Sequence, residues 1–423
     1  MDKKVELLSP AGNFEKLKIA LEYGADAVYG GVSHFSLRIR SSKEFSYESF
    51  EEAVLYTHKK GKKIYVTING FPFNSQIPLL KKHIEKMTKM NPDAFIISTP
   101  GVVRLANKIA PHIPIHLSTQ ANVMNYLDAL VYSEMGVKRI IVAREISLKD
   151  LKEIKKHIPD MEFEIFVHGS MCFAYSGRCL ISSLQSGRVP NRGSCANDCR
   201  FPYTLYAKNE DNGALLKIEE DENGTHIMNA KDLNLSSYVD EILKSKVVDS
   251  LKIEGRTKSP YYVAISTRAY KMAINDFYNG KFDPKKYENE LLSTKHRGFN
   301  DGYLVNRPHQ KINSQNIQES ISEGTHQVYA LVTEDGEFFM AKDKVEPEVE
   351  YEIVAPIDSK IIKCENETGS IYEKDDVFYI KLKKIESKNK KTYEAIHSGN
   401  TNPIKLPCKL PVYSFFRKKI KEI

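Results

Sequence analysis

Short runs of apolar and β-branched residues alternate with amphipathic stretches through the N-terminal part of this 423-residue chain. Each run ends in Gly, Pro, Ser, Thr or a charged residue, which is typical of a parallel strand that is covered on both faces. The alternation has the period of βα units. Eight candidate strands begin at Val5, Ala27, Lys63, Ala94, Pro114, Arg139, Glu164 and Ser250. The pattern therefore predicts an α/β fold, a (β/α)8 barrel of the TIM type.

The segments between these runs have the features of α-helices. In the first of them, Phe14, Leu17 and Leu21 share one face, and Asn13 can cap the start of the helix. The helical segment that follows Pro260 comes after the last candidate strand. We expect that helix to close the barrel.

One connection is far longer than a βα loop needs. It follows the seventh strand and extends from Gly169 to about Asp249, so we predict a Cys-rich insertion over about residues 170–249. The carboxyl ends of barrel strands carry the active site, and the insertion begins at one of them. We therefore expect the insertion to lie beside the site.

The pattern changes to alternating strands with turn signals after a polar stretch at residues 312–324. The sequence Glu334-Asp335-Gly336 lies between two β-rich runs and predicts a hairpin. We expect two domains, a barrel domain over residues 1–312 and a small antiparallel β-barrel domain over residues 325–423.

The composition is typical of a globular protein, with 41% hydrophobic and 28% charged residues. Six cysteines in 423 residues do not make a disulfide scaffold. The sequence has no apolar leader at its start and no run of 18 or more apolar residues. We therefore expect a cytoplasmic protein without a membrane partner.

The positive charge of the chain is concentrated near its C-terminus. The net charge is +7, whereas residues 381–423 alone carry 12 Lys and Arg against three Asp and Glu. A local excess of this kind favours a polyanionic partner such as RNA. Tyr413, Phe415 and Phe416 lie in the same region, and we expect them either to stack on bases or to fill the core of the small barrel.

Four of the six cysteines lie close together, at Cys172, Cys179, Cys195 and Cys199. Their spacing, C-x6-C-x15-C-x3-C, suits one metal centre, either zinc or an iron–sulfur cluster. Structural zinc sites usually have two short C-x2-4-C pairs, so the wide first gap favours a cluster. The alternative is that the four are small buried side chains. For Cys364 and Cys408 we predict that second role, because neither has a ligand partner nearby in the sequence.

Polar residues follow most of the candidate strands, where a barrel would point them into its site. Several are cations, which suit a dicarboxylate or a phosphate backbone. Glu145 and Glu254 can act as acid and base, or can balance the cations in ion pairs along the rim. The set comprises Asn69, His116, Ser118, Gln120, Arg144, Glu145, His168, Lys252, Glu254, Arg256 and Lys258, together with Arg38 and Arg40 after the second strand.

The segment EIFVHGSMCFAYSGRCLIS resembles the signature of the U-32 peptidase family, the collagenase-like proteins. Segments near Glu6, His116, Val142, Met228 and Ser250 resemble the same family, so the resemblance covers about residues 5–310. The signature positions are Glu164, Phe166, His168, Gly169, Cys172, Tyr175, Ser176, Gly177 and Cys179.

The resemblance implies hydroxylation more than proteolysis. Similar proteins act in 5-hydroxylation of wobble uridine in tRNA, in cytidine hydroxylation of ribosomal RNA and in oxygen-independent ubiquinone synthesis. In that group the corresponding cysteines hold a 4Fe-4S cluster, and prephenate is implicated in the RNA reactions. The length of this chain and its single basic β domain resemble the tRNA branch.

The expected function is therefore that of an iron–sulfur-dependent enzyme in prephenate-dependent 5-hydroxylation of tRNA. The resemblance implies a catalytic role for His168, and we group Glu145 and Glu254 with it. The resemblance also implies that the four clustered cysteines bind the iron–sulfur cluster. The expected partners are tRNA, prephenate or a similar carboxylate, and the iron–sulfur assembly machinery, and a paralogous chain stays open as a further one.

Two alternatives stay open. The first is a collagenase-like peptidase in which the cysteines bind zinc or are structural, and the second is a non-catalytic RNA-binding factor that carries a cluster. The sequence contains no G-x-S-x-G and no H-E-x-x-H motif. Pairing Cys172 with His168 as nucleophile and base would remove that cysteine from the cluster, which argues against a peptidase.

Overall fold

The computed structural model describes residues 4–32, 35–36, 44–171, 198–200, 205–208, 211, 213, 215–218, 231–305 and 324–420. Twelve strands occur in the described residues up to 305. They are β1 (Glu6–Pro10), β2 (Ala27–Gly31), β3 (Lys63–Ile68), β4 (Ala94–Ile97), β5 (Ile115–Leu117), β6 (Arg139–Ile141), β7 (Glu162–Gly169), β8 (Leu205–Lys208), β9 (Leu215–Ile218), β10 (Asp232–Asn234), β11 (Ser250–Ile253) and β12 (Phe299–Asn300).

Eight of these strands close into a parallel barrel. The order is β11-β1-β2-β3-β4-β5-β6-β7, and β7 pairs with β11 to complete the circle. All eight coincide with the runs that the sequence singles out, so the (β/α)8 prediction is confirmed. β10 extends the sheet by pairing antiparallel with the carboxyl end of β7, through Leu233 opposite Gly169. The parts of the insertion that the structure describes include a hairpin of β8 and β9.

The helices cover the outside of the barrel. Asn13 caps α1, since its side chain accepts a hydrogen bond from the backbone N–H of Lys16, as the sequence predicts. Among the described residues, no helix is both long and apolar enough to span a lipid bilayer. The helices are α1 (Phe14–Glu22), α2 (Tyr47–Lys59), α3 (Ile77–Met90), α4 (Pro100–Ile109), α5 (Tyr126–Glu134), α6 (Leu148–His157), α7 (Val239–Lys244), α8 (Pro260–Tyr278) and α9 (Pro284–Leu291).

Residues 324–420 form a curled antiparallel sheet, a half-barrel with the strand order β16-β17-β18-β15-β22-β13-β14-β21. The predicted hairpin at Glu334-Asp335-Gly336 is confirmed, because it joins β13 to β14. The limits of the two predicted domains stay a prediction. The strands are β13 (His326–Val332), β14 (Phe338–Ala341), β15 (Glu350–Val354), β16 (Cys364–Glu365), β17 (Gly369–Lys374), β18 (Val377–Leu382), β19 (Ile385–Glu386), β20 (Thr392–Tyr393), β21 (Ile404–Lys405) and β22 (Phe415–Lys419).

The aromatic residues near the C-terminus are buried. Phe416 packs on Phe339 inside the half-barrel, with ring centroids 5.3 Å apart. Phe415 packs on Tyr261 of the barrel domain at 5.3 Å, and Tyr413 is buried at the same contact. Base stacking by these rings was therefore a wrong expectation, and the alternative, that they fill a core, is confirmed.

The two cysteines of the half-barrel form a disulfide, Cys364–Cys408. The expectation that they are separate small side chains is wrong. Residues 44 apart in the sequence come together here because the sheet curls, which places their Cα atoms 6.6 Å apart. That separation lies within the range a disulfide spans.

Arg417 of β22 joins the half-barrel to the barrel. Its guanidinium donates to Glu352 Oε1 at 2.6 Å within the half-barrel. It also donates to Glu290 Oε2 of α9 at 3.2 Å and to the hydroxyl of Tyr261 of α8 at 3.1 Å. Arg417 is buried, so these partners replace the water that it loses.

We expect Arg417→Met to lower the free energy of unfolding by about 3 kcal/mol, because it leaves two carboxylates without their shared cation. Urea-induced unfolding at pH 7 measures this change. Adding Glu352→Gln to that variant should recover part of the loss, because the neutral amide needs no counter-charge. Equal stability of wild type and Arg417→Met would contradict the interpretation.

The carboxyl of Glu352 makes the stability of this contact depend on pH. Burial would raise its pKa, but hydrogen bonds and charges from His326 and Arg417 outweigh burial and lower the pKa from 4.5 to about 2. A depressed pKa adds stability that is complete above pH 4.5 and disappears as the pH falls towards 2. The change corresponds to roughly 3 kcal/mol.

Glu352→Gln should therefore differ most from wild type at pH 6, and the difference in free energy of unfolding should shrink to almost nothing near pH 2. Unfolding by urea at pH 6, 4, 3 and 2 tests this. Glu367→Gln, at an exposed glutamate of the same domain, serves as the control and should give a small difference at every pH. A constant difference between Glu352→Gln and wild type across the range would sink the argument.

Candidate active site

Four alternating charges lie inside the barrel. Arg139 Nη1 donates to Glu6 Oε1 at 2.5 Å and to Glu164 Oε2 at 3.3 Å. Lys252 Nζ donates to Glu164 Oε1 at 2.8 Å. Glu164, Lys252 and Arg139 are buried, so each depends on its partners for the solvation that water would give. Burial lowers the pKa of Lys252 even though Glu164 acts in the opposite direction.

Tyr29 of β2 lies between this chain of charges and the mouth of the barrel. The ammonium of Lys252 lies 4.4 Å from the centroid of its ring, and the guanidinium carbon of Arg256 lies 6.0 Å from it. The hydroxyl of Tyr29 donates to the backbone oxygen of Ile253 at 3.0 Å. Burial holds the pKa of Tyr29 well above 10, so the phenol stays protonated and keeps donating.

Arg256 follows β11 and fixes the loops at the mouth. Its Nη1 donates to Ser36 Oγ at 2.7 Å and to Thr67 Oγ1 at 3.0 Å, and lies 2.8 Å from Glu44 Oε1. The backbone approaches closely here, because a Cβ at Gly12 would lie 2.0 Å from the oxygen of Arg256. The side chain therefore has buried partners from β3 and from the segment after β2.

Arg144 and Glu254 form the loosest ion pair described at the mouth. Arg144 Nη2 lies 4.0 Å from Glu254 Oε2, and the two side chains are 10% and 20% exposed. The guanidinium also covers the ring of Phe166, at 4.0 Å from its centroid. Glu145, next to Arg144 after β6, is half-buried. A long ion-pair distance together with access to solvent leaves Arg144 able to exchange partners with a bound anion.

His168 at the carboxyl end of β7 is enclosed by aromatic rings. The ring centroids of Tyr262, Tyr270 and Phe299 lie 5.7, 5.6 and 5.6 Å from its own. Among the described residues, neither of its ring nitrogens has a hydrogen-bond partner. Burial lowers the pKa of His168 from 6.5 to about 3, although Asp232 acts against it. The imidazole is therefore neutral at pH 7.

Gly169, the next residue, must be glycine for a steric reason. Its φ is +106°, in the left-handed region that side chains disfavour. A Cβ there would lie 2.4 Å from the backbone oxygen of Glu254 and 2.8 Å from the hydroxyl of Tyr262. This close approach holds the start of the insertion against the end of β11.

Hydrogen bonds link polar residues after β3, β4 and β5. Ser98 Oγ donates to the backbone oxygen of Asn69 at 2.9 Å and contacts Gln120 Oε1 at 3.3 Å. Ser118 donates to the same amide oxygen of Gln120. The three strand ends are thereby joined around one side of the mouth.

His116 lies within the strand instead of beyond its end. It belongs to β5, is buried, and packs edge-on against Tyr65 with ring centroids 4.7 Å apart. Burial, with the charges of Arg139 and Lys252, lowers its pKa well below 6.5. His116 is therefore a neutral side chain beside the chain of charges.

Lys258 follows β11 and lies over the ring of Tyr262, with its ammonium 5.2 Å from the centroid. The structure thus brings together Arg144, Glu254, Arg256 and Lys258 on one side of the mouth, whereas Lys252 lies within β11, below the mouth, in the chain of charges. It places Asn69 after β3, and Ser118 and Gln120 after β5, with β4 between these two strands. The roles of these residues stay predictions.

The predicted metal ligands lie mostly outside the described residues. Cys172, Cys179 and Cys195 lie outside the described residues, and so do Arg38 and Arg40. Cys199 lies in a single turn, Asp198–Arg200, where it is half-buried and belongs to no disulfide with a described cysteine. Where the structure describes the chain, no group of three His, Cys, Asp or Glu is placed to hold a metal. The fit of a cluster rests on the chemistry of the four thiols.

Several residues of the site were not singled out as site residues from the sequence. Tyr29, Glu44, Thr67 and Arg139 all contribute contacts at or below the mouth. Tyr29 and Thr67 are polar residues inside mostly apolar strands, and Arg139 is a charged residue at the start of one. These interruptions are the signal that can identify them. Glu44 lies outside any strand and gives no such signal.

Comparisons with known proteins give a consistent result. One relative, a tRNA hydroxylation protein P of Helicobacter pylori (strain ATCC 700392 / 26695), is 59% identical over 419 residues, which is 99% of each chain. A protein of the same name from Escherichia coli (strain K12) is 38% identical over 76% of this chain and 79% of its own. A Collagenase of Porphyromonas gingivalis (strain ATCC BAA-308 / W83) is 32% identical over 71% and 73%. Residues 12–314 match the model of Peptidase family U32, and the chain therefore belongs to that family.

Proposed function

We propose that this protein hydroxylates the wobble uridine of tRNA at carbon 5, with prephenate as co-substrate and a 4Fe-4S cluster as cofactor. The observation that carries the proposal is the 59% identity, over 99% of both chains, to a protein named for tRNA hydroxylation. The cations at the barrel mouth supply the chemistry that an acidic co-substrate needs. A uridine in a single-stranded loop can be turned out of its stack to enter such a mouth at low cost.

Arg144 is the residue we assign to a carboxylate of the co-substrate. Lys252 and Arg256 are buried, and they lie 2.8 Å from Glu164 and Glu44 respectively. Turning either cation towards a ligand would leave a buried carboxylate without this partner. Arg144 lies 4.0 Å from Glu254 and is better exposed. Its planar guanidinium can bind a carboxylate through two parallel hydrogen bonds.

Glu254 and Glu145 are the proton-transferring groups in this proposal. The positive charge of Arg144 would move away from Glu254 when Arg144 turns to the substrate, which would make the carboxylate of Glu254 a better proton acceptor. His168 is neutral at pH 7, so it serves as a hydrogen-bonding group and not as a charged acid. Its enclosure by three rings keeps water from the imidazole.

Cys172, Cys179, Cys195 and Cys199 would hold the cluster. A cluster of this type supplies one-electron transfer when bound. The backbone contact of Gly169 with Glu254 places the start of the cysteine segment at the mouth. The cysteines therefore belong to a segment that begins beside the groups assigned to substrate.

The role of Arg144 predicts a loss of product without a loss of fold. A strain that lacks the gene and is complemented with Arg144→Met should contain at least about tenfold less 5-hydroxyuridine in its tRNA, the cost of one charge-assisted pair. Arg104→Met, at an exposed arginine on α4, is the control and should restore the full level. Nucleoside analysis of total tRNA gives the levels. Full modification by Arg144→Met would exclude this role.

The role of the cysteines predicts a joint loss. Cys195→Ala, purified without oxygen, should lack iron and sulfide and should fail to restore 5-hydroxyuridine, because three thiolates no longer complete the site. The double variant Cys364→Ala/Cys408→Ala changes only the disulfide and should keep both iron and activity. A Cys195→Ala protein that loses the cluster yet hydroxylates normally would refute the mechanism.

A peptidase is the second candidate, because one relative is named Collagenase. Incubating the purified protein with gelatin, with and without a chelator, separates the two activities. Gelatin cleavage that survives in Cys195→Ala would favour the peptidase. Binding of tRNA without any hydroxylation in the complemented strain would favour the non-catalytic RNA-binding factor.

A further inference from the structure

A cavity of about 500 Å³ opens between the barrel and the half-barrel. The loop after β11, the first turn of α8, the segment after α9 and strand β13 all contribute to its walls. Its size falls within the range of pockets that hold small molecules or single nucleotides. The cavity lies beside the contact between the two parts of the chain that Arg417 and the packing of Phe415 on Tyr261 make.

The charges that line the cavity are of one sign. Lys258, Lys295 and Lys342 come from three separate segments, and no Asp or Glu is among the described residues of the lining. The whole chain has 55 acidic against 62 basic side chains, so an all-cationic lining departs from its average. His326 also lines the cavity and lies 3.5 Å from Glu352. A wall of this kind attracts an anion.

The floor of the cavity is apolar and aromatic. Tyr261, Tyr262 and Val328 contribute to it, whereas Phe415, which also borders the cavity, is buried and offers no ring face to a base. An inorganic ion makes no favourable contact with an apolar surface, whereas a nucleotide has a ribose and a base beside its phosphate. Lysines around an aromatic floor are the combination that binds single-stranded nucleic acid.

The first turn of α8 adds to the attraction for a phosphate. The helix is 19 residues long and begins at Pro260, and its first turn contributes to the cavity wall. Unpaired backbone N–H groups give the N-terminus of a helix a partial positive charge. This effect supplements the lysines and does not by itself define the site.

The cavity adjoins the candidate active site. Lys258 belongs to the same loop as Glu254 and Arg256, and its side chain lies over Tyr262, whose hydroxyl donates to the backbone oxygen of Glu254 at 2.9 Å. A chain of nucleotides that delivers a base to the mouth would continue past this loop. The half-barrel side of the cavity would then receive the next unit of the chain.

We propose that this cavity binds the phosphate and base of a nucleotide that neighbours the target uridine. The inference rests on the proposed function for the identity of the RNA. The half-barrel is thus part of the RNA-binding surface through Lys342 and not through its buried C-terminal aromatic rings.

The test is binding of a fluorescent anticodon stem-loop RNA to the full-length protein. Lys295→Glu/Lys342→Glu should raise the Kd at least about tenfold at 0.1 M salt. The slope of log Kd against log salt should also become less steep by about 0.7, the value for the loss of one phosphate contact on a single strand. The control is Lys374→Glu, an exposed lysine on β17, which three strands of the sheet separate from β13. Thermal melting of each variant confirms that it folds.

A double variant that binds with the Kd and salt slope of the Lys374→Glu control would overturn the inference, as would a wild-type protein that does not bind the RNA. Hydroxylation is measured separately, as 5-hydroxyuridine in a strain without the gene. If that strain keeps its 5-hydroxyuridine while the double variant loses affinity, the proposed function fails and the binding site remains.

Discussion

The chain of alternating charges inside the barrel is the constraint on which the rest of the site depends. Glu6, Arg139, Glu164 and Lys252 come from four different strands, and each neutralises its neighbour. Arg139, Glu164 and Lys252 are buried, whereas Glu6 is 11% exposed. Removing Glu164 would leave the buried Lys252 without the carboxylate to which it donates, which costs more than the intact pair contributes. The chain therefore fixes the relative positions of β1, β6, β7 and β11. The ammonium of Lys252 in turn contacts the ring of Tyr29, which lies between the chain of charges and the mouth.

The half-barrel depends on the same principle at a second place. The buried Arg417 donates hydrogen bonds to residues of both domains in place of water. Glu290 accepts hydrogen bonds from both Arg417 and Arg268. An apolar junction would allow the two parts to slide, whereas directional hydrogen bonds to a planar guanidinium fix an angle. The fixed angle brings Lys342 to the cavity that Lys258 also lines. Charge pairing thus acts in the interior of the barrel and, together with the packing of Phe415 on Tyr261, at the surface between the domains.

The sequence predicts the barrel well because each strand is a local signal. Every run of β-branched residues ends at a turn residue, so neither long-range contacts nor side-chain packing is needed to find it. The exact partners are a different matter, because they depend on how the sheet curls. Phe416 and the Cys364–Cys408 pair illustrate this, since nothing near them in the sequence tells core from surface or which thiol is close. Likewise, Glu44 contacts Arg256 only after more than two hundred residues of chain have closed the barrel.

The first turn of α8 has a consequence for how the two domains communicate. Tyr261 contacts Arg417 and Phe415 of the half-barrel, while the adjacent Tyr262 contacts Glu254 and the ring of His168 at the mouth. Two consecutive side chains of one rigid helix thus point to opposite partners. The first turn of α8 is therefore in contact with both the half-barrel and the mouth, so a substitution that displaces this turn disturbs both at once.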